Sequence, residues 1–435
     1  MEKSKLFKLG ILTCVLLTFL LVIPFNYATM DGEYSQWIIP YFSGAVNSEF
    51  FGQWQYNNKD EQAFLSASNI EKIFWNFNKY DKDDLSSYEY NDIGYLYVVK
   101  LAITLFFFLP PILAVMLLQL LVHIGLCCFV LYLLFKNKTK FFLIALFLLG
   151  YAINPFILYY VTSPFYFSWQ IFPSILWIIF IAFPSVRKTY WFIGTTVLIA
   201  LISFFIRPTT AIPSAVLLFA LVYKKNAWVA LFCSIVFCGA LIAIFPKISS
   251  KLPWHPIYVG LGAYGGFEVD SLDDNVSYEL FYEKTSHRMK TNIPGESWHN
   301  KEIRKEFYKV IKSEISRQVF SKPHLFLRNM AFNILQSFGL GHRPYSLLIN
   351  LISAFIGLLV IVLLVFTKHH KYLVILFSTV AGYALYFPPI PAYNFAVYIL
   401  SVFIVIKVLN NYNFKSVFGN KVFDSQRSDT LFNEV

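Results

Sequence analysis

Long runs of apolar residues alternate along the chain with short polar connections. A transmembrane helix needs about 20 consecutive apolar residues to cross the hydrocarbon core of a bilayer. The pattern therefore predicts an all-α polytopic membrane protein with about ten transmembrane helices. The predicted spans are residues 7–27, 111–135, 141–158, 167–184, 190–206, 209–223, 226–246, 346–366, 372–387 and 392–409.

One segment, 95–135, is long enough for two spans that would be divided at Pro110 and Pro111. Two spans there would invert the topology of everything that follows. We favour the alternative, in which an amphipathic helix at 95–109 lies in the plane of the membrane and is followed by a single span.

Lysine and arginine residues occupy alternate connections between the spans. Because cytoplasmic connections carry an excess of these residues, the pattern predicts that both termini are cytoplasmic. The predicted organisation is a bundle at 1–246 that includes an extracytoplasmic loop at 28–94, an extracytoplasmic loop domain at 247–345, C-terminal transmembrane helices at 346–409 and a tail at 410–435. The basic clusters are Lys136, Lys138 and Lys140; Arg187 and Lys188; Lys224 and Lys225; Lys368 and Lys371; and Lys407.

The second large loop carries two helix patterns. Apolar residues share one face of a predicted helix at 302–320, which ends at Lys322 and Pro323. Residues 324–338 mix apolar and polar positions in the manner of a helix that lies in the membrane interface. Most prolines near span ends fall toward the outer face, and irregular backbone at membrane depth requires protein cover or a water-filled cavity. We therefore expect the functional site in the outer half of the bundle.

The amino-acid composition limits the classes of function that the protein can have. Of the 435 residues, 57% are hydrophobic and 14% are charged, whereas a soluble domain averages about 25% charged residues. The net charge of +11 does not indicate nucleic-acid binding, because the basic residues lie in short clusters between apolar runs. The five cysteines all fall within apolar runs and lack metal-ligand spacing. The lipid bilayer is thus the predicted partner, and nucleic acid is not.

Two acidic residues, Asp31 and Glu33, follow the first predicted span directly. Carboxylates at the mouth of an aqueous cavity have the chemistry to take a proton from an attacking hydroxyl. A second carboxylate there has the chemistry to bind a divalent metal or to orient an acceptor. The alternative is that both residues are the solvated start of a loop.

Arg207 stands between two apolar runs, at the predicted membrane edge. A planar guanidinium can hold a phosphate through two parallel hydrogen bonds, so Arg207 is a candidate phosphate-binding residue. Its alternative role is that of an anchor at the end of a helix, with its charged group reaching toward the interface.

The stretch Trp254–Gly262 contains His255, which has the chemistry to donate to a phosphate or to shuttle a proton. Glu268 and Asp270 follow it and are candidates for acceptor or metal binding; the metal itself is not defined, because the acidic cluster lacks the spacing of an EF-hand. The alternative is a loop that packs aromatic residues onto the outer surface, with its acids solvated.

Three features together resemble the GT-C superfamily of membrane glycosyltransferases. They are Asp31-Gly32-Glu33 after the first span, Arg207-Pro208-Thr209 after a mid-chain span, and a long outer loop between the seventh and eighth spans. The resemblance implies a hexosyltransferase of the cell inner membrane. Such an enzyme takes sugar from a polyprenyl-phosphate carrier and gives it to a glycan acceptor such as the O-antigen of lipopolysaccharide.

The resemblance also implies roles for these residues. Asp31 or Glu33 would be the base, and Arg207 with His255 would contact the donor phosphate. Gly32 separates the two acids where family members often carry an adjacent pair, which leaves open which acid is the base. The chain has no P-loop and no dinucleotide-binding fingerprint, the usual markers of ATP-driven transport and of soluble nucleotide-sugar chemistry. The competing functions are a lipid-linked glycan flippase and an O-antigen polymerase. A polymerase would depend on loop arginines such as Arg288, Arg304 or Arg343.

Overall fold

The structure is a computed structural model of the chain. The predicted first span at 7–27 and the tail at 410–435 lie largely outside the residues that it describes. The described residues are 7, 9–13, 16–18, 20, 33–52, 54–57, 59–78, 83, 85–86, 92–183, 185–186, 189–223, 227–244, 254–269, 271–286, 301–344 and 346–412.

The described residues between 33 and 105, which cover the first large loop and the segment after it, form four helices and two short strands. The strands pair in antiparallel fashion, with Tyr56 opposite Ser86. A capping box begins the third helix, because Ser68 and Glu71 each satisfy a backbone N–H of the other. These elements are α1 (Glu33–Phe51), β1 (Tyr56–Asn57), α2 (Lys59–Ser66), α3 (Asn69–Ile73), β2 (Leu85–Ser86) and α4 (Ile93–Leu105).

Apolar helices build the rest of the N-terminal bundle. Pro111 begins α5, a favoured place for proline because the first helical N–H has no partner within the helix. Asn154 caps α7 by accepting a hydrogen bond from the N–H of Phe156, 2.9 Å away. The helices are α5 (Pro111–Lys136), α6 (Phe141–Phe147), α7 (Pro155–Thr162), α8 (Phe172–Ala182), α9 (Tyr190–Ile206), α10 (Ala211–Val222) and α11 (Ala227–Ile244); a π-helix (Leu148–Ala152) and two 3-10 segments (Tyr166–Ile171 and Pro208–Thr210) lie between them.

Among the described residues, three helices are long and apolar enough to cross a membrane: α5, α16 (Leu347–Phe366) and α18 (Pro391–Asn411). They confirm the predicted spans at 111–135, 346–366 and 392–409. The pair Phe141–Ala152 and Pro155–Thr162 becomes a fourth if its 41° bend is allowed within one span. The chain is thus a helical membrane protein. Shorter apolar helices, with α17 (His370–Val380) among them, occupy the other described predicted spans, so the number ten stays a prediction.

The two ends of the bundle carry different chemistry. At one end, here called the lysine end, the backbone N–H of Lys140 donates to Asn410, 3.1 Å away, and Lys407 Nζ donates to the Ile181 carbonyl, 3.2 Å away. The opposite end of α18 contacts Arg207, and we call it the Arg207 end. Lys140 and Lys407 therefore lie at the same end of the bundle, and the alternation of charge across the whole chain stays a prediction.

The second large loop forms a helical domain with a core of its own. The predicted helices at 302–320 and 324–338 are confirmed as α14 (Lys301–Ser321) and α15 (Pro323–Ser337). The domain also contains α12 (Trp254–Leu261) and α13 (Asn275–Thr285). Its buried apolar residues are Tyr258, Leu261, Phe267, Val269, Phe281, Phe307, Ile311 and Ile315.

Close backbone contacts fix this domain on the Arg207 end. A Cβ atom at Gly260 would lie 2.4 Å from the carbonyl oxygen of Tyr386, and one at Gly357 would lie 1.8 Å from that of Leu335. Only glycine permits both approaches. The first joins α12 to the segment between α17 and α18, and the second joins α15 to α16.

Candidate functional site

Arg207 lies at the end of α9 with its guanidinium among three other polar groups. Nη1 is 3.5 Å from a carboxylate oxygen of Asp92, and Nη2 donates to the Tyr393 hydroxyl, 3.3 Å away. The guanidinium carbon also lies 4.7 Å from the ring centre of Tyr166 and 5.5 Å from that of Tyr393. Arg207 is therefore held by one acid and by two aromatic rings that can act as cation–π partners.

Helix packing brings Asp92 to Arg207. Gly94 is so close to the end of α9 that a Cβ atom there would lie 2.7 Å from the backbone nitrogen of Ile206. Asp92 immediately precedes α4 and therefore lies beside Arg207, which immediately follows α9. Tyr166 begins the 3-10 segment before α8, and Tyr393 lies in the first turn of α18. Four separate parts of the chain thus meet at this point.

The charged pair is sheltered from solvent. The side chain of Arg207 is 20% exposed and that of Asp92 is 5% exposed. Arginine keeps its positive charge in proteins and has five N–H donors. Asp92 and Tyr393 engage only Nη1 and Nη2, and the buried Nε has no hydrogen-bond partner among the described residues. Nη1 and Nη2 each carry two N–H donors and the side chain is partly exposed, so the cluster keeps spare donor capacity for an anion, such as a phosphate, that approaches it.

The side chains of the two first-loop acids cannot be placed relative to this cluster. Asp31 lies outside the described residues, and Glu33 is the first residue of α1, with a side chain outside them as well. The helix that Glu33 begins does reach the cluster, because its Tyr41 ring packs 5.3 Å from that of Tyr95, which in turn lies 6.4 Å from the ring of Tyr166. Asp31 and Glu33 as the catalytic acids therefore stay a prediction.

His255 lies in the loop domain, where its ring has partners of its own. Nδ1 is 2.8 Å from the hydroxyl of Ser277, and Nε2 is 3.0 Å from a carboxylate oxygen of Asp274. The ring also stacks on Tyr278, with centres 5.3 Å apart. Among the described residues, no contact joins His255 to Arg207, so the structure does not bring these two predicted phosphate ligands together. The contacts of His255 therefore link α12 to α13.

Glu268 belongs to a second cluster in the loop domain. Its exposed carboxylate is paired with Arg317, whose hydrogen bond lowers the pKa of Glu268. Asp270 lies outside the described residues. Within the part of the chain that the structure describes, no group of three or more His, Cys, Asp or Glu residues is placed to hold a metal ion. The acceptor or metal role of Glu268 and Asp270 stays a prediction.

A separate group of polar residues lies inside the bundle on α5. Gln119 donates to the carbonyl of Ser163, 2.7 Å away, and His123 Nε2 lies 3.0 Å from the carbonyl of Ala152 in the π-helix. Gln119 Oε1 and His123 Nδ1 have no hydrogen-bond partner among the described residues. Polar residues inside transmembrane segments are costly and often mark functional positions, and π-helices are frequent at functional sites.

The residues that the sequence pattern missed are Asp92, Tyr166 and Tyr393. Asp92 directly precedes an apolar helix, a position where acids are ordinary helix caps, so its local pattern carries no sign of a partner in α9. The two tyrosines are inconspicuous among 28 in the chain. Only the tertiary fold identifies them.

No family model, no curated protein and no solved structure shows a detectable match to the chain.

Proposed function

We propose that the protein is a membrane glycosyltransferase that moves a sugar from a polyprenyl-phosphate carrier to a cell-surface glycan such as O-antigen. The observation that carries the proposal is the sheltered Arg207 cluster at the end of the bundle where the loop domain docks. An enzyme of this kind needs a cation at the edge of the membrane, where the phosphate of a lipid carrier lies. The ten-span topology, with the Arg207 end facing away from the cytoplasm in the inner membrane, belongs to the same proposal.

The reaction assigns roles to the first-loop acids and to Arg207. A hydroxyl of the acceptor attacks the anomeric carbon of the donor sugar, and the bond between that carbon and the phosphate oxygen breaks. The phosphate leaves with the bonding electrons, and Asp31 or Glu33 takes the proton of the hydroxyl. Arg207 offsets the negative charge that develops on the departing phosphate. Energy comes from the activated donor, so the reaction needs no ATP.

A divalent cation is compatible with this proposal, because a carboxylate that is not the base has the chemistry to bind one. Chelation of divalent ions in purified membranes, followed by addition of magnesium or manganese, tests this role. Transfer that stops on chelation and returns with the metal supports it. Transfer that is unaffected by the chelator rejects it.

The decisive experiment measures transfer of a labelled sugar from polyprenyl phosphate to lipopolysaccharide in membranes. The variants are Asp31→Asn and Glu33→Gln, which keep size and polarity but remove the proton affinity. A general base contributes about 10²–10⁴-fold in rate, so one of them should lose nearly all activity at equal expression. If both variants transfer at the parent rate, these acids are not catalytic. If the parent transfers nothing from any donor, the protein is not a transferase.

A flippase is the second candidate, and the polar residues inside the bundle favour it. Gln119 Oε1 and His123 Nδ1 lie among apolar helices, and neither has a hydrogen-bond partner among the described residues. A transporter of a lipid-linked glycan needs polar groups along its path. Accumulation of lipid-linked glycan on the cytoplasmic face after deletion of the gene would favour this function. Replacement of Gln119 and His123 by leucine would then block transport, whereas a transferase would keep its chemistry.

A further inference from the structure

A second arginine, Arg343, lies in the short connection between α15 and α16. Its guanidinium carbon is 4.3 Å from the ring centre of Phe156. It also lies within electrostatic range of the phenol groups of Tyr159 and Tyr398. Unlike Arg207, it forms no ion pair with a carboxylate of any described residue. Arg343 is therefore a cation whose described neighbours are aromatic rings and phenols rather than acids.

The backbone around Arg343 is fixed before any ligand arrives. The N–H of Arg343 donates to Asn350 Oδ1, 2.7 Å away, and Asn350 Nδ2 donates back to the Arg343 carbonyl, 2.9 Å away. The preceding N–H, that of His342, donates to the carbonyl of Pro389, 2.8 Å away. Gly341 adopts a φ of +76°, which allows the chain to turn into this position. The backbone at Arg343 therefore loses little conformational freedom when the side chain binds an anion.

The surroundings place Arg343 at the boundary of the membrane. The candidate span α16 begins four residues later with Leu347 and Leu348, which are 75% and 70% exposed. Phe156, the ring beneath the guanidinium, is 54% exposed. Large exposed apolar side chains at the start of a transmembrane helix face lipid, and arginine at such a position reaches the level of the headgroups. The anions found at that depth are the phosphate groups of lipids.

We propose that Arg343 binds the phosphate group of a lipid, with Phe156 as the platform on which its guanidinium rests. Arg207 differs, because its cluster already contains the countercharge of Asp92. The inference does not depend on the proposed function, since transferase, flippase and polymerase all work in a bilayer of phosphate-bearing lipids. Two lipids present the required chemistry: a phospholipid of the bilayer and a polyprenyl phosphate.

The test measures lipid binding to the full chain in nanodiscs of zwitterionic lipid. Phosphatidylglycerol and polyprenyl phosphate are titrated in separate arms, and bound lipid is counted by native mass spectrometry. Arg343→Gln should weaken binding about tenfold or more in at least one arm, because hydrogen bonds to a charged group are lost. Arg343→Lys, which keeps the charge but not the planar donor geometry, should be intermediate. Lys309→Gln, at an exposed position on α14, is the charge-matched control and should bind like the parent.

The two separate titrations identify which lipid supplies the phosphate group that Arg343 binds. Weakening in the phosphatidylglycerol arm assigns a bilayer phospholipid, and weakening in the polyprenyl-phosphate arm assigns the carrier. If Arg343→Gln binds both lipids as the parent does, the proposal is overturned. If Lys309→Gln weakens binding as much as Arg343→Gln, the effect is one of general charge and the proposal is again overturned. Should Arg343→Gln fail to fold, parent-like binding by Arg343→Lys in both arms would overturn the proposal.

Discussion

The carboxylate of Asp92 lies 3.5 Å from the guanidinium of Arg207, although 115 positions separate the two residues in the sequence. The pair joins the start of α4 in the first loop to the end of α9 in the bundle. Because both side chains are sheltered, neither charge is well solvated without the other. The pair therefore links the folding of the first loop to the position of the candidate phosphate ligand.

Replacement of Arg207 by lysine should impair sugar transfer more than it impairs folding. Lysine keeps the charge beside Asp92 but loses the planar, two-point grip on phosphate. Transfer in membranes and melting temperature in detergent are compared at equal expression, with Arg328→Lys in the loop domain as the control. Parent-like transfer by Arg207→Lys would identify Arg207 as an anchor and not a phosphate ligand.

Replacement of Asp92 by asparagine should destabilise the protein, because it leaves the Arg207 charge sheltered and without its countercharge. Removal of one partner of a buried ion pair costs about 3–5 kcal/mol. The double variant Asp92→Asn with Arg207→Gln should be less destabilised than the sum of the single variants. Additive losses in melting temperature would show that the two side chains do not interact.

The charge alternation makes a prediction about topology. Single cysteines placed at positions 60 and 290 should react with an impermeant thiol reagent in intact cells, and one at position 138 should not. The background is the chain with its five native cysteines replaced by alanine. Labelling at 138 together with protection at 60 would reverse the assignment of the two faces.

The features that the sequence predicts depend on local periodicity, whereas those that it misses depend on tertiary packing. A span such as 111–135 and a helix such as 302–320 are recorded in local periodicity, and both are observed within two residues of the expected bounds. The partner of Arg207 depends instead on the packing of Gly94 against Ile206, which no local pattern records. His255 shows the same limit, since its ring contacts Ser277 on another helix and Asp274 just before that helix.

Acid should loosen the loop domain through Glu314. Its carboxylate is buried and accepts hydrogen bonds from Arg317, Gln318 and Lys284; together they lower its pKa from 4.5 to about 2, and the bond from Arg317 has the largest effect. Because its pKa is lowered, the ionised Glu314 carboxylate contributes its full stabilisation of the fold above pH 4.5. This contribution is lost as the pH falls from 4.5 toward 2. The loss is on the order of 3 kcal/mol.

The measurement is the acid unfolding of the full chain, followed by the fluorescence of its tryptophans. Glu314→Gln cannot ionise, so it should be less stable than the parent at pH 7. Its stability should fall less steeply than that of the parent between pH 4.5 and 2. Glu306→Gln, an exposed position on the same helix, is the control and should follow the parent. Parallel acid profiles for the parent and Glu314→Gln would contradict this account.

The contact between α15 and α16 should not tolerate even one added methyl group. A Cβ atom at Gly357 would lie 1.8 Å from the carbonyl oxygen of Leu335, which is backbone and cannot rotate away. Gly357→Ala must therefore push the two helices apart and destabilise the protein by about 1–3 kcal/mol or more. Gly125→Ala is the matched control, because nothing lies within 4 Å of its added atom. Alanine is the better helix former, so this control should melt at or above the parent temperature. Equal melting temperatures for Gly357→Ala and the parent would mean that α15 does not pack on α16 at this distance.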